Sequence, residues 1–112
     1  MNNVRGIVLY DTESDNTLNG VYTNNDPSVW GTILGETARL VKSYPNTDNG
    51  TQLLEYDCFY FDFPTGGVSC TLLLEVNGRV YKAKWLANGK TLFEGEGFKM
   101  NERQIAISYW SV

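Results

Sequence analysis

The chain alternates apolar and polar residues over most of its length, which is typical of strands that bury one face of a sheet. The alternation is clearest in residues 68–98, where it continues on both sides of Asn77-Gly78. An Asn-Gly pair between alternating segments predicts a β-hairpin, because its tight turn needs residues that tolerate a positive φ. The residues of this hairpin that we expect to face inward are Cys70, Leu72, Leu74, Val76, Tyr81, Ala83 and Trp85.

Further strands are predicted from the same alternation and from the turn-forming residues between the segments. We expect a polar connector over residues 11–19, whose acids do not have the spacing of a calcium loop. The other predicted strands cover residues 4–11, 18–24, 51–63 and 103–110.

Residues 28–43 are ambiguous between strand and helix. Their apolar residues recur at helical spacing, and Asp26-Pro27 would suit the start of a helix. Gly31 and Gly35 oppose a helix, because each costs about 1 kcal/mol relative to alanine in a helix interior. We predict a long strand bent near Gly35 and keep a helix at about 28–43 as the alternative.

The hairpin near Asn88-Gly89 decides which residues of the late strands face inward, because a slip of one residue exchanges the two faces. A two-residue turn would place Glu94 opposite Ala83 on the apolar face. A three-residue loop over 87–89 instead places Glu94 opposite Lys82, so that opposite charges pair on the outer face. We therefore predict the three-residue loop.

The turn predicted at 64–67 sets the faces of the aromatic strand that precedes it. With this turn Phe61 pairs with Cys70, so Phe59 and Phe61 face inward and Cys58 faces outward. The two sulfurs then lie on opposite faces of the sheet, out of reach of each other. We expect two reduced thiols rather than a disulfide.

The predicted strands number seven, or eight if residues 28–43 are extended. Short antiparallel strands joined by consecutive hairpins favour a single up-and-down β-barrel, or a strongly curved meander. We predict an all-β fold in which residues 1–112 form one domain.

The element Asn19-Gly20-Val21-Tyr22-Thr23-Asn24 is followed by a meander whose late strands carry aromatic residues and glycines. In length and layout the chain resembles the small calycin barrels, of the avidin and lipocalin type. The resemblance implies a β-barrel and a binding role. It carries no ligand residue of the family over to a position in this chain.

The net charge of −4 comes without a basic run, so the chain lacks the surface that neutralises phosphates in nucleic acids or anionic membranes. We expect a soluble, acidic protein with neither of these partners. The apolar run at 7–10 is too short for a signal or membrane segment. We therefore expect a cytoplasmic protein, or a secreted or periplasmic one whose leader has been removed.

The chain has no histidine, which removes the commonest general base and the commonest metal ligand. We expect no cofactor and no metal. A carboxylate enzyme using Asp57 or Glu55 is the remaining catalytic alternative. Arg79 and Arg103 beside them would lower their pKa values and make them poor proton donors. We predict that the protein is not an enzyme.

We expect a binding module whose inner face forms a cup for a small apolar or amphipathic ligand. Eight strands enclose an interior that side chains can just fill or that can hold one small ligand. A filled barrel whose charges only mark its wet rim is therefore the alternative. The predicted ligand-binding residues are Phe59, Phe61, Tyr81, Trp85, Phe93 and Tyr109 in the lining, with Asp57, Arg79 and Arg103 at one mouth.

The outer face carries apolar side chains that suggest an interaction surface. A homodimer or another protein partner would bind there, so a protein-interaction or inhibitor module is the alternative function. The residues predicted for this surface are Tyr56, Tyr60, Leu73 and Trp110.

Overall fold

The computed structural model describes residues 3–14, 16–44, 50–62 and 66–112. The strands are β1 (Arg5–Ser14), β2 (Thr17–Asn24), β3 (Leu34–Tyr44), β4 (Gln52–Asp62), β5 (Gly66–Asn77), β6 (Val80–Ala87), β7 (Lys90–Lys99) and β8 (Gln104–Ser111). They form a closed antiparallel barrel in chain order, and β8 pairs with β1. The predicted all-β up-and-down barrel is confirmed, with eight strands. Within the described residues, no helix is long and apolar enough to cross a membrane.

Residues 28–43 are strand only in their second part, and the helix alternative is wrong. The backbone N–H groups of Val29 and Trp30 donate to the carbonyl oxygen of Asp26 at 2.8 and 2.9 Å. This single turn ends at Gly31, whose φ of +86° is incompatible with a continuing helix. The strand β3 begins after this turn.

The connector predicted at 11–19 is too long. β1 continues to Ser14 and β2 begins at Thr17, and Asp11 pairs with Asn19 across the ladder. Asp11, Thr12 and Asn19 are only half-buried at this end of the barrel, while their backbones pair across the ladder. Polar composition therefore did not mark the end of the strand.

Apolar side chains fill the middle of the barrel. The least exposed of them come from β1, β3, β5 and β8, whose inward-facing residues alternate with outward-facing ones. The side chains of this layer that are at most 1% exposed are Val8, Tyr10, Ala38, Leu72, Leu74 and Ile107. The inward concavities lie toward the two ends of the barrel.

The predicted hairpin of the 68–98 stretch is present, with its turn one residue later than Asn77-Gly78. Asn77 pairs with Val80, so the turn residues are Gly78 and Arg79. Gly78 has a φ of 62°, which glycine adopts without strain.

The β6–β7 hairpin has a two-residue turn, so the predicted three-residue loop is wrong. Asn88 and Gly89 form this turn with φ values of 53° and 76°. A bulge at Leu92 then shifts the register, so Glu94 lies opposite Lys84 and not opposite Lys82 as predicted. The bulge inserts one extra residue between the paired segments, as the third residue of the predicted loop would have done. The same side chains of β7 therefore point inward. The predicted inward face of β7 is therefore right.

The predicted faces of β4 are wrong. Phe61 pairs with Gly67 rather than with Cys70, a shift of three residues that exchanges inside and outside. Phe59 and Phe61 are 45% and 55% exposed on the outer surface. The physical reason is visible at Gly67, where a Cβ would lie 2.1 Å from the ring of Phe59. The missing side chain leaves room for that ring outside the barrel.

The same shift places Cys58 directly opposite Cys70. The predicted separation of the two sulfurs on opposite faces is therefore wrong. Both thiols are free, as expected. A hydrogen bond with Cys70, burial and the nearby Glu36 together raise the pKa of the Cys58 thiol.

Gly97 on β7 lies close to the backbone of β8. A Cβ at this position would lie 1.9 Å from the carbonyl oxygen of Ala106. We expect Gly97→Ala to lower the free energy of unfolding by about 1–3 kcal/mol, because the backbone of β8 cannot move aside without disturbing the ladder. Gly35→Ala is the matched control, since nothing lies within 4 Å of its added Cβ. Urea denaturation measures both, and equal midpoints would contradict this packing.

Candidate functional site

A pocket opens at the end of the barrel where β2 and β4 end. Its volume is about 60 Å³, which is room for about four to six water-sized groups. Buried Val8 and Glu36 form its floor, and half-buried Asn24 and Asp62 lie at its rim. Its aromatic wall consists of Tyr22, Tyr60, Trp85, Phe93 and Tyr109.

Tyr109 is the centre of the aromatic wall. Its ring centroid lies 5.7 Å from that of Trp85, 5.7 Å from that of Phe93 and 6.4 Å from that of Tyr22. Tyr22 also meets Tyr60 edge to face, with centroids 6.1 Å apart and planes at 85°. Edge-to-face pairs are favourable arrangements of aromatic rings. They also turn the ring faces in different directions around the cavity.

Hydrogen bonds set the orientation of two of these rings. Asn24 Nδ2 donates to the hydroxyl oxygen of Tyr109 at 3.0 Å, and that hydroxyl donates to the carbonyl oxygen of Thr23 at 3.3 Å. The hydroxyl of Tyr22 donates to the carbonyl oxygen of Phe61. Because these contacts are internal to the protein, both rings are ordered before a ligand binds.

Glu36 is the buried acid of the pocket. Three donors from three other strands converge on its Oε2 atom. The hydroxyl of Tyr10 donates to it, as do Cys58 Sγ and Trp85 Nε1, both at 3.3 Å. Donors of this kind stabilise an ionised carboxylate, because they replace part of the hydration lost on burial.

The second carboxyl oxygen of Glu36, Oε1, is different. Among the described residues, no donor reaches Oε1. None of the fully buried side-chain oxygens in that part of the chain lacks a hydrogen-bond partner. Oε1 is therefore not fully buried, and it retains contact with the space of the pocket that Glu36 lines.

The titration behaviour of the pocket reflects burial and negative charge. Burial raises the pKa of Glu36, while its three hydrogen bonds act in the opposite direction. Burial also raises the pKa of Tyr109 to about 12, and the charges of Glu36 and Asp62 contribute to the same shift. The Tyr109 hydroxyl is therefore neutral near pH 7.

The pocket brings together three of the predicted ligand-binding residues. Trp85, Phe93 and Tyr109 all line it. Tyr81 and Arg103 face the opposite end of the barrel instead.

The inward placement predicted for Phe59, Phe61 and Asp57 is wrong. All three are exposed on the outer face of β4, because of the register of that strand. Arg79 is exposed as well, and its Nη2 atom donates to the carbonyl oxygen of Lys99 at 2.9 Å. These residues do not line the pocket.

The predicted outer surface is corrected by the same change of register. Tyr56 and Tyr60 face inward, so they cannot belong to that surface. Leu73 and Trp110 lie on the outer face and are half-buried.

The opposite end of the barrel holds an open depression of about 580 Å³, lined in part by Tyr81. Its basic residues are paired with acids. Lys99 Nζ lies 3.9 Å from Glu102 Oε2, and Arg103 Nη2 lies 2.9 Å from Asp11 Oδ1. Because these cations already have partners, the depression has less to hold a ligand than the pocket around Glu36.

Sequence reasoning missed Glu36, although a signal was present. Glu36 shares its inward parity with Leu34 and Ala38, so it is an acid inside an apolar alternation. Tyr22 was noted only as part of the calycin-like element, and Tyr60 was assigned to the wrong face. The register of β4 was the missing information.

No family model matches the chain, and neither a curated protein nor a solved structure matches it. The closed eight-strand barrel agrees with the layout that the calycin resemblance implies. In the part of the chain that the structure describes, no three His, Cys, Asp or Glu side chains are grouped closely enough to hold a metal ion. The function is therefore inferred from the geometry of the pocket.

The raised pKa of Glu36 predicts a pH-dependent contribution to stability. A carboxyl whose pKa is raised on folding favours the folded state when it is protonated. This contribution to stability is fully present below the pKa of the unfolded chain, about 4.3 for glutamate, and it is lost as the pH rises through the pKa of the folded protein. Glu36→Gln keeps an acceptor oxygen for the three donors and removes the titration. We expect the free energy of unfolding of the variant to increase relative to that of the wild type as the pH rises from about 4 to about 7.

Urea denaturation at several pH values measures this difference. The matched control is Glu96→Gln, which removes an exposed acid from the outer face of β7 and leaves the pocket unchanged. Parallel pH profiles for wild type and Glu36→Gln would contradict the expected role of burial.

Proposed function

We propose that the protein is a non-enzymatic binding module, a barrel of calycin type that binds a small amphipathic ligand in the pocket around Glu36. The observation that carries this proposal is the convergence of five aromatic rings and the buried acid Glu36, whose Oε1 has no donor among the described residues, on one small cavity. Apolar walls with a few fixed polar groups are the usual construction of small-molecule sites.

The size of the pocket limits what enters it. A volume of about 60 Å³ is far below that of a site which encloses a whole drug-sized ligand, about 300 Å³ or more. The pocket therefore takes one end of the ligand, and the remainder lies across the rim near Asn24 and Asp62. The packed middle of the barrel prevents deeper entry.

Two observations favour binding over carboxylate catalysis. Asp57 is exposed on the outer face of β4, away from the aromatic pocket. Glu55 accepts a hydrogen bond from the hydroxyl of Tyr44 at 3.2 Å and also lies outside it. Neither acid lines the pocket in which the aromatic rings would hold a ligand.

The proposed binding is tested by nuclear magnetic resonance with a library of small amphipathic fragments. We expect saturable shifts of the indole N–H signal of Trp85, because Trp85 lines the pocket. Phe93→Ala should weaken this binding about tenfold, since it removes one wall of the site. Phe98→Ala is the control on the same strand, because Phe98 is exposed outside the barrel.

The absence of any fragment that shifts the Trp85 signal would contradict the proposal. Equal weakening by Phe93→Ala and Phe98→Ala would also contradict it, because the two substitutions then act through the fold rather than through the pocket.

A second candidate function, an interaction module, is favoured by the outer surface. Directly paired apolar residues cross five adjacent strands there, from Val80 through Phe98, Ala106 and Leu9 to Val21. We call this set the outer apolar row. Its members Val80 and Phe98 are 56% and 57% exposed. Exposed apolar rows of this kind are typical of surfaces that associate.

Self-association through the outer apolar row is testable by size-exclusion chromatography with light scattering. We expect a concentration-dependent dimer that Phe98→Asp converts to a monomer, because a charge in the row must be desolvated on association. Ser108→Asp is the control, since Ser108 is an exposed outer residue beside the row. A wild-type protein that stays monomeric at all concentrations would remove this candidate.

A further inference from the structure

The residues that line the pocket carry charge of only one sign. Glu36 and Asp62 are its two ionisable acids, and none of the described lining residues is basic. The other lining side chains are aromatic rings, one valine and one asparagine. An anionic ligand would therefore meet the carboxyl group of Glu36 without a basic side chain among the described lining residues.

We propose that the pocket selects a cationic head group, specifically a methylated ammonium, and this rests on the proposed binding function. Cations are attracted to the faces of Tyr, Trp and Phe rings, and more strongly where water is excluded. Rings that surround a cavity and carry an acid beside them are the arrangement that holds alkylated ammonium groups.

The mutual angles of the rings support this assignment. The planes of Tyr22 and Tyr60 are at 85°, those of Tyr22 and Tyr109 at 72°, and those of Phe93 and Tyr109 at 87°. Rings that are nearly perpendicular cannot all stack on one flat ligand. They suit a rounded group that contacts several walls at once.

The accessible oxygen of Glu36 supplies the charge. Oε2 is occupied by three donors, whereas Oε1 has no donor among the described residues. A neutral ligand would leave the buried carboxylate without a counter-charge, so proton uptake would be the alternative way to neutralise it. A cation in the pocket provides the counter-charge directly.

The volume favours a methylated over a bare ammonium. The pocket has room for about four to six water-sized groups, and a trimethylammonium group has four non-hydrogen atoms. A bare ammonium would need several hydrogen-bond acceptors, whereas five of the nine described lining residues present aromatic rings. Methyl groups instead contact those ring faces.

The proposal is tested with probes of similar shape that carry a positive charge, no charge or a negative charge. Choline and 3,3-dimethylbutan-1-ol have nearly the same shape, the first cationic and the second neutral, and 3,3-dimethylbutanoate supplies a negative charge. We expect choline to give saturable shifts of the Trp85 indole signal and to bind about tenfold more tightly than the neutral alcohol. The carboxylate should show no binding at this site.

Two variants test whether the preference for choline over the neutral alcohol depends on the acids of the pocket. Glu36→Gln should remove most of the difference between choline and the alcohol, with little change in the affinity for the alcohol. Asp62→Asn should reduce the difference less, because Asp62 is half-buried at the rim; it also keeps the test decisive if Glu36→Gln does not fold. Glu96→Gln is the control, an exposed acid on the outer face that should change nothing.

The outcomes separate this proposal from the function on which it rests. Equal affinity for choline and the alcohol would overturn the cation preference while the binding function stands. Binding of other fragments at Trp85 without binding of choline would have the same meaning. No binding of any probe or fragment would overturn both.

Discussion

One buried carboxylate connects four strands of the barrel. Glu36 of β3 receives hydrogen bonds from Tyr10 of β1, Cys58 of β4 and Trp85 of β6, all on the same oxygen. A one-residue slip of any of these strands would turn its donor outward and leave a buried charge without that partner. The carboxylate therefore links the inward parity of β3 to that of its neighbour β4 and to that of β1 and β6, with which β3 does not pair. The positions of the side chains that line the pocket depend on this alignment.

The barrel itself could be predicted because it depends on local signals. Alternation and Asn-Gly turns located β5 and β6, and the need to keep Glu94 out of the core gave the correct inward face of β7. The loop at Asn88-Gly89 was predicted wrongly, since the same parity arises from a tight turn and a bulge at Leu92. Charge pairing predicts which side chains of a strand point outward. It does not distinguish a three-residue loop from a two-residue turn followed by a bulge.

The candidate site was only partly predictable, for a different physical reason. The faces of β4 depend on its register with β5, and both faces of that strand are rich in aromatic residues. Alternation therefore did not distinguish Tyr60 from Phe61. The deciding feature is tertiary, the space over Gly67 that the Phe59 ring fills. Glu36 was missed because an acid in a strand is ordinarily assigned to water, and its three donors are distant in sequence.

In the binding mode that we propose, Glu36 holds the charge that the ligand meets. The most direct measurement is the titration of its side-chain carboxyl carbon by nuclear magnetic resonance, with and without choline. We expect the pKa of Glu36 to lie above that of ordinary glutamate in the free protein and to fall when choline is bound, because a bound cation stabilises the ionised form. An ordinary pKa in the free protein, or a pKa that choline leaves unchanged at saturation, would contradict this binding mode.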